Sequence, residues 1–397
     1  MAYTYSFSSV TYWVKVVTNI DLGFSHLNRQ GLMTKILILG GYGATGKVLA
    51  WYLLKWTAVE VVLAGRHPEK AKELVDQLKA EFNNRRVCAV KVDAAQPEIL
   101  EDALKGIDLL VVASPTTSYA ELVIDAALKA RVDYLDIQLS AEKLAYLQSR
   151  SEAISQSGCC FITEAGFHPG MSAAMVRHAA SRIDNLVSAD VFSYLNIGRS
   201  ASYTEAVNEL METFKHYDSR VYRDGSWTKP NSYRMQKTDF GGDIGVRNCY
   251  PMYFEELGAL PLAIPSLKQT GFYMSELHPL LDWIVTPLVF VGIKLFPVKG
   301  MVPLGKLMWT AMCNLPRPPY KVVLMLVATG MRDGKQANYQ LTISHADGYH
   351  LTAIPVAACI KQLLEGNARK PGLWMMGYLV DTDWLLRDMA EMGAGVE

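Results

Sequence analysis

Two patterns of apolar residues alternate along the first half of the chain. Short unbroken apolar runs, typical of strands covered on both faces, are separated by segments with helical spacing. The runs lie at 36–39, 59–64, 87–92, 108–113, 133–137 and 160–163. Helices are predicted between them at 44–56, 68–82, 99–104, 119–130 and 144–156. This alternation predicts a parallel sheet with helices on both faces.

The rhythm changes after residue 170. Helical spacing recurs at 173–180 and 205–214, and residues 188–195 alternate like a strand. Two further strands are predicted at 321–328 and 337–344, joined by the turn Arg332-Asp333-Gly334. A last helix at 354–364 ends before Gly366, a residue type that commonly follows a helix. These elements predict an α+β second domain.

A glycine turn after the first predicted strand supplies the first candidate chemistry. Gly41, Gly43 and Gly46 stand in G-x-G-x-x-G spacing directly before a predicted helix. The first glycine permits a tight turn, the second lets the backbone approach a pyrophosphate, and the third lets the helix pack on the strand. The helix N-terminus also offers N–H groups to phosphate. We therefore predict a dinucleotide site in this turn, formed by Gly41, Tyr42, Gly43, Ala44, Thr45 and Gly46.

The residue after the second strand indicates which dinucleotide binds. Enzymes that use NAD carry an acidic residue about 20 residues beyond the glycine turn, where it binds the ribose 2′-hydroxyl. This chain has Arg66 there, and Lys70 follows one helical turn later. A cation suits a 2′-phosphate, so the sequence favours NADP(H) over NAD(H). The alternative is that Arg66 is an ordinary exposed arginine at a strand end.

The remaining candidates stand where the strands end, because ligands of parallel α/β sheets bind beyond the carboxyl ends of the strands. Six residues share this position: Asp93, Ser114, Pro115, Asp136, Glu164 and His168. The first three are assigned to the cofactor and the last three to catalysis. With an ordinary pKa of about 6.5, His168 can give or take a proton near neutrality. A purely structural role stays open for Asp136, Glu164 and His168.

Composition narrows the class of partner. Lys plus Arg and Asp plus Glu number 39 each, so there is no basic excess for nucleic acid. The six cysteines lack C-x-x-C spacing and the eight histidines form no H-E-x-x-H motif, so no metal site is predicted. The cysteines are interpreted as buried reduced thiols of a cytoplasmic protein.

One apolar stretch, 283–293, raises the question of a membrane. Asp282 and Lys294 bound it and Pro287 interrupts it. It therefore supplies only about half of the ~20 residues that a spanning helix needs. A buried or interfacial helix is the preferred interpretation, and contact of 283–296 with a membrane surface is the alternative.

Several segments resemble the saccharopine dehydrogenase (NADP-binding) family. In chain order they are GGYGATGK, LAGRHPEKA, VVASPTTSYAELVIDAAL, VDYLDI and EAGFHPGM. The resemblance covers Thr34 to about Met175, with weaker echoes at 224–227, 239–241, 256–261 and 352–366. It implies a Rossmann domain, an inserted α/β domain for dimerisation and substrate, and a C-terminal helix that packs back on the first domain. It also implies NADP(H) or NAD(H) and hydride transfer.

The expected fold class is therefore α/β, a Rossmann doubly wound parallel sheet with an inserted α+β second domain. The length of 397 residues fits more than one domain. We place an N-terminal extension at 1–32, disordered or loosely docked, because Met33 directly precedes the first strand. The NAD(P)-binding domain is assigned to 33–168, the substrate and dimerisation domain to 169–345, and a C-terminal segment that packs on the Rossmann domain to 346–397.

The expected activity is hydride transfer to or from a C=N, C=O or activated C=C bond of a small substrate, carried out by a homodimer. His168 stands where the family's saccharopine reductases carry an acidic residue, so the resemblance does not imply saccharopine as the substrate. Arg199 is either an anchor for a substrate carboxylate or a solvated surface charge. The alternatives are a non-catalytic NADP-sensing regulator and a membrane-associated lipid-type enoyl reductase. A Tyr-x-x-x-Lys pair at Tyr233 and Lys237 is interpreted as a chance match.

Overall fold

The structure, a computed structural model, describes residues 34–83, 86–198, 206–215, 217–230, 235–297 and 299–397. The chain divides into two compact units. The first comprises residues up to Ala174 together with Thr352–Met392, and the second comprises Met175–Leu351 with Gly393–Glu397. The predicted extension at 1–32 lies outside the described residues, and so do Arg199 and Tyr233.

The strands of the described residues are numbered in chain order. They are β1 (Lys35–Leu39), β2 (Glu60–Gly65), β3 (Val87–Lys91), β4 (Leu109–Val112), β5 (Asp133–Asp136), β6 (Cys160–Thr163), β7 (Asn185–Asn196), β8 (Val221–Arg223), β9 (Ser226–Thr228), β10 (Gln236–Asp239), β11 (Val246–Met252), β12 (Gln269–Ser275), β13 (Lys321–Arg332), β14 (Lys335–His345), β15 (Gly372–Met375) and β16 (Gly395–Val396).

The α-helices of the described residues are numbered in the same way. They are α1 (Ala44–Trp56), α2 (Pro68–Phe82), α3 (Pro97–Ala103), α4 (Ala120–Ala130), α5 (Ala141–Ser149), α6 (Ser151–Ser157), α7 (Met171–Arg182), α8 (Ala206–Lys215), α9 (Leu260–Ala263), α10 (Thr286–Leu295), α11 (Met301–Asn314), α12 (Gly348–Leu364), α13 (Met376–Leu379) and α14 (Thr382–Glu391). A π-helical turn, Leu281–Val285, leads directly into α10.

A seven-stranded sheet forms the centre of the first unit, in the order β15-β6-β5-β4-β1-β2-β3. Every pair in it is parallel. All residues of β4 and β6 are buried, as expected for strands covered on both faces. The chain order reverses between β1 and β4, which places a crevice at their carboxyl ends. The predicted Rossmann sheet is confirmed, and β15 extends it by one strand.

The second unit is built on a nine-stranded sheet whose main path is β10-β11-β12-β7-β13-β14-β16, with the β8–β9 hairpin attached to β12. The β12–β7 pair is parallel, and β13 pairs with both β7 and β14 antiparallel. The predicted α+β second domain is confirmed. Its long hairpin pairs as far as Arg332 and Lys335, because Asp333 and Gly334 both adopt positive φ, at 51° and 74°. Two such residues suit the twist of a two-residue hairpin turn.

Helices α10 and α11 form a pair within the second unit. Their inner faces pack in a common apolar core that contains Val289, Ile293, Met308 and Met312. Gly292 of α10 lies against Leu304 of α11, where a Cβ atom would come within 2.7 Å of the leucine Cδ1. None of the helices in the described part of the chain combines the length and the apolar character that crossing a bilayer requires.

Candidate active site

The glycine turn between β1 and α1 contains both partly exposed and buried residues. Residues 42–45 are partly exposed, whereas Gly41 and Gly46 are buried. A Cβ atom on Gly46 would overlap the Gly40 carbonyl oxygen, and one on Gly41 would lie 2.9 Å from the Leu63 Cα. These two glycines are therefore required by packing, as the motif predicts.

Gly43 differs from its two neighbours in the motif. A Cβ atom there would contact the Gly40 oxygen at 3.0 Å and otherwise reach only the Ala113 oxygen, at 4.0 Å. Gly43 is also the residue that precedes α1, and the first turn of that helix contains no acidic side chain. First-turn N–H groups have no partner within a helix, and the dipole there favours an anion. The turn thus fits a pyrophosphate that lies against Gly43.

Tyr42 connects this turn to the end of β2. Its hydroxyl accepts a hydrogen bond from the His67 N–H at 3.0 Å. Its ring covers Gly65 so closely that any Cβ atom on Gly65 would overlap it. The two contacts fix the backbone on both sides of Arg66, whose side chain is exposed. Lys70, in the first turn of α2, is exposed as well. The backbone at Arg66 is thus held beside the glycine turn.

The end of β4 joins the same crevice. Gly40 lies against Ser114, where a Cβ atom on the glycine would come within 2.6 Å of the serine Cβ. The Ser114 carbonyl accepts a hydrogen bond from the Gln138 amide at 2.7 Å, and the same amide donates to Thr116 Oγ1 at 3.2 Å. Gln138 is buried, so this contact firmly links the segment after β4 to the one after β5.

Asp136 at the end of β5 is the centre of a buried polar cluster. Its Oδ1 lies 2.5 Å from Lys143 Nζ in α5, and both side chains are completely buried. Its Oδ2 accepts a hydrogen bond from Thr163 Oγ1 at 2.9 Å, and its backbone oxygen accepts from the Ala165 N–H. Lys143 Nζ also donates to the backbone oxygen of Gln138 at 2.5 Å. The cluster therefore holds the ends of β5 and β6 together.

Glu164 and His168 lie in the tight segment after β6. Glu164 is buried and has a φ of 53°, an uncommon conformation for a residue other than glycine. The His168 side chain retains some exposed surface, but its Nε2 is buried and its ring lies 3.7 Å from the Phe167 ring, centroid to centroid. Burial lowers the pKa of His168 to about 4. The expectation of an ordinary pKa is corrected, since burial disfavours the imidazolium.

The other two cofactor candidates lie at the same edge of the sheet. Asp93 follows β3 and its carboxylate accepts a hydrogen bond from the Ala95 N–H at 3.1 Å, so it caps a turn. Pro115 is exposed beside Ser114. The described candidates thus all stand at the carboxyl edge of the parallel sheet, whereas Arg199 lies outside the described residues.

Sequence reasoning missed four residues of this edge: Tyr42 as a structural connector, Gly65, Gln138 and Lys143. One feature of the sequence indicates that Lys143 has a specific partner. Lys143 lies in the first turn of α5, behind Ser140, which accepts the hydrogen bond from its N–H. A cation is unfavourable at that end of a helix dipole, so a lysine there indicates a specific partner.

The comparisons with known proteins find relatives of the whole chain and of its nucleotide-binding domain. Residues 36–157 match the family model for the saccharopine dehydrogenase NADP binding domain. The chain is 24% identical over 410 aligned positions to carboxyaminopropylagmatine dehydrogenase of Synechocystis sp., covering 91% of this chain and 96% of that protein. It also resembles the solved apo saccharopine dehydrogenase (L-Glu forming) of Saccharomyces cerevisiae, with a TM-score of 0.63, 12% identity, and coverage of 92% of this chain and 99% of that one.

The first unit is thus a nucleotide-binding domain of the Rossmann class, and the predicted resemblance to the saccharopine dehydrogenase family is confirmed. The chain is an NADP-dependent oxidoreductase, and residues 36–157 are similar to the saccharopine dehydrogenase NADP binding domain. The predicted preference for NADP(H) as the cofactor is confirmed too. A purely regulatory NADP sensor and a lipid-type enoyl reductase are not favoured.

Proposed function

We propose that this protein transfers a hydride between NADP(H) and the carbon of a C=N bond in a small amine or amino-acid compound. The observation that carries the proposal is the continuous polar edge in the first unit. It runs from the open backbone at Gly43, past Ser114, to the buried cluster around Asp136. The bound nicotinamide would supply the hydride chemistry, and the residues along this edge would hold it in place.

The substrate class is inferred from the relatives. The Synechocystis relative is named for carboxyaminopropylagmatine and the yeast structure for saccharopine, with formation of L-Glu. Both names describe amino compounds, which favours C=N among the bonds open to hydride transfer. His168 replaces the acidic residue of saccharopine reductases, so an ammonium group at that position would lose an ion-pair partner. This supports a substrate other than saccharopine.

The proposed role of His168 follows from its burial. With a pKa of about 4 it is a neutral imidazole at physiological pH. It would accept the proton that leaves the substrate nitrogen during oxidation and return it during reduction. Because His168 is almost fully deprotonated well below pH 7, the pH–activity curve should show no inflection near pH 6.5 that depends on His168.

Asp136 is proposed as a positioning residue rather than a group that contacts substrate. Its carboxylate already binds Lys143 and Thr163 in a fully buried setting. Proton transfer through it would leave Lys143 buried without a charge partner, which is costly. Glu164 stands beside this cluster, and its strained backbone supports a role in shaping the segment that carries His168.

The cofactor contacts are tested by titrating NADPH and NADH into the wild type and Arg66→Ala. Loss of a charge-assisted pair should weaken NADPH binding about ten- to a hundredfold and leave NADH nearly unchanged. Arg332→Ala, an exposed arginine of the β13–β14 hairpin, is the matched control and should bind both nucleotides normally. An unchanged NADPH-to-NADH ratio in Arg66→Ala would remove the 2′-phosphate role.

The chemistry is tested by following NADP⁺ reduction with carboxyaminopropylagmatine, saccharopine and agmatine. Turnover of the first without the other two would support the proposed substrate class. His168→Asn should then lower turnover about 10²–10⁴-fold with NADPH affinity unchanged. Full turnover in that variant would exclude His168 as the proton acceptor. If none of the amines reacts, the C=N assignment fails, while the cofactor titration still stands.

We further propose a homodimer in the cytoplasm, with a membrane-surface contact through 283–296. The dimer is supported by what the family resemblance implies for the inserted domain, a role in dimerisation. Six free cysteines, five of them buried, support a reducing compartment. Sedimentation equilibrium of the full chain would test the dimer.

A further inference from the structure

The apolar segment 280–307 is unusually exposed. Nine of the twenty large apolar side chains that are exposed among the described residues fall within it. Six of them form what we call the apolar surface, each 52–67% exposed: Trp283, Ile284, Leu288, Val291, Leu295 and Phe296. Val302 and Leu307 of α11 are exposed as well. Concentrated exposure of this kind marks an interaction site more often than scattered apolar residues do.

The spacing of these residues shows that α10 and the turn before it are apolar on all sides. Ile284, Leu288, Val291 and Leu295 recur at helical intervals and face outward. On the opposite side Leu281, Val289 and Ile293 are buried in the core of the helical pair. One apolar face therefore suffices to attach the helix to its own unit. The outer apolar face has no part in that packing, which indicates a second environment.

The charges of this segment have one sign. Although the chain carries 39 acidic residues, none lies between Trp283 and Arg332. Lys294, Lys299 and Lys306 lie on or between the two helices, and all three are exposed. Asp282, just before the segment, turns its carboxylate inward to accept hydrogen bonds from the Leu277 and His278 N–H groups. The segment that carries the apolar surface is thus cationic, in a protein with no net charge. Glu212 of the neighbouring α8 pairs with Lys215 of its own helix.

This combination decides between a lipid surface and a second copy of the chain. A two-fold dimer through the apolar surface would bring two copies of this cationic segment together, and the segment itself carries no acidic residue from 283 to 332. An anionic lipid surface supplies the opposite charge and an apolar layer at once. Helix α10 has ten residues, so it is about 15 Å long against a ~30 Å hydrocarbon core. It can therefore lie in the interface but cannot cross it.

We propose that α10 and α11 dock the protein on a membrane rich in anionic lipid, with the apolar surface inserted below the headgroups. This deepens the proposed membrane contact and rests on it, but it does not depend on the NADPH chemistry. Trp283 and Phe296 lie at the two ends of the inserted face. Aromatic side chains prefer the headgroup level, so these two residues set the depth while the lysines pair with lipid phosphates.

The test is co-sedimentation of the full chain with vesicles of phosphatidylcholine alone or mixed with phosphatidylglycerol. The wild type should bind the mixed vesicles and lose binding as salt is raised. Leu288→Asp with Val291→Asp should abolish binding. Leu262→Asp, an equally exposed leucine of α9, should bind as the wild type does. All variants should keep their NADPH affinity, which separates a failure of docking from a failure of the proposed enzyme.

The charge argument has its own matched pair of variants. Lys294→Glu, Lys299→Glu and Lys306→Glu together should weaken binding to the mixed vesicles roughly a hundredfold, at about fivefold for each lysine. The same change at the exposed Lys237, Lys268 and Lys335 of the second unit should have little effect. Brominated lipid should quench tryptophan fluorescence in the wild type, and less in Trp283→Phe.

Three results would overturn the proposal. One is the absence of binding to either kind of vesicle, and another is binding that survives the two aspartates. The third is a wild-type dimer that the aspartates convert to a monomer in sedimentation equilibrium, which would assign the apolar surface to a second copy of the chain.

Discussion

The carboxyl edge of the parallel sheet and the α10–α11 pair differ in which kind of side chain they bury and which kind they expose. At the edge, polar groups are buried: Asp136 and Lys143 have no exposed surface, yet each is bound by named partners. In the helical pair, apolar groups are exposed: Leu288 and Val291 are more than half accessible. Each departs from the usual arrangement, and departures of this kind concentrate where a protein functions.

The two regions depend on different parts of the sequence. The buried polar cluster is assembled by strand order, because Asp136, Lys143 and Thr163 come from β5, α5 and β6. The exposed apolar surface is local, since its spacing and its lysines can be counted within 30 residues of sequence. The first should therefore be sensitive to single changes and the second tolerant of them, as four expected outcomes make testable.

The largest effect is expected at the buried ion pair. Lys143→Met leaves the Asp136 carboxylate buried without its counter-charge, which should lower the free energy of unfolding by about 3–5 kcal/mol. Lys129→Met is the control, because its pair with Glu101 is largely exposed and should contribute less than about 1 kcal/mol. Urea denaturation of both variants measures the contrast. Equal losses would show that burial of the pair does not matter.

His168 should make the first unit sensitive to acid. Its folded-state pKa, about 4, lies below the unfolded value of about 6.5, so the unfolded chain binds more protons between these pH values. The stability present above pH 6.5 is lost as the pH falls toward 4, by about 2–3 kcal/mol. His168→Asn should flatten this part of the pH–stability curve relative to the wild type. Parallel curves would mean that the imidazole is not buried as a neutral ring.

Substitutions at two glycines of the turn should have different effects, one mainly on stability and the other mainly on NADPH binding. Gly46→Ala forces its new Cβ onto the Gly40 oxygen, which should destabilise the protein by about 1–3 kcal/mol. Gly43→Ala meets that oxygen at 3.0 Å, a close contact without the overlap at Gly46, so its melting temperature should fall less than that of Gly46→Ala. Its NADPH affinity should nevertheless fall more than tenfold, because the methyl group fills the space beside the pyrophosphate. Normal NADPH binding in Gly43→Ala would contradict the phosphate site.

The smallest effect on stability is expected at the apolar surface. Leu288→Asp replaces a side chain that is half exposed, so the free energy of unfolding should change by less than about 0.5 kcal/mol. Denaturation of the variant in detergent-free buffer measures this. A loss of several kcal/mol would place Leu288 in the core and would make this helical face structural rather than a docking surface.

The sequence predicts the sheet well, because an unbroken apolar run such as Ile36–Leu39 has few alternatives to a buried parallel strand. It also predicts the glycine turn, whose spacing is imposed by backbone contacts within six residues. Contacts between segments that are distant in the chain could not be predicted from the sequence. The Tyr42 ring on Gly65 and the amide of Gln138 on Ser114 depend on which strands become neighbours.

The same limit explains the catalytic candidates. Their positions at strand ends follow from topology, which the alternation of elements predicts. Their ionisation does not, because the pKa of His168 depends on the packing of Phe167 and the tight segment around it. The ion-pair partner of Asp136 could not be predicted from the sequence either, although Lys143 lies only seven residues away in the chain.

The position of β15 in the chain affects how the parallel sheet forms while the protein is being synthesised. β15 pairs with β6, yet roughly 200 residues separate them in the chain. At about 5–20 residues per second, a ribosome would need ~10–40 s to deliver the missing partner. Throughout that interval the apolar edge at Phe161 and Ile162 lacks its neighbour and can pair with a foreign strand. Residues 175–351 of the second unit are made in the meantime, so this edge is exposed to mispairing for longer than any other strand pair of the sheet.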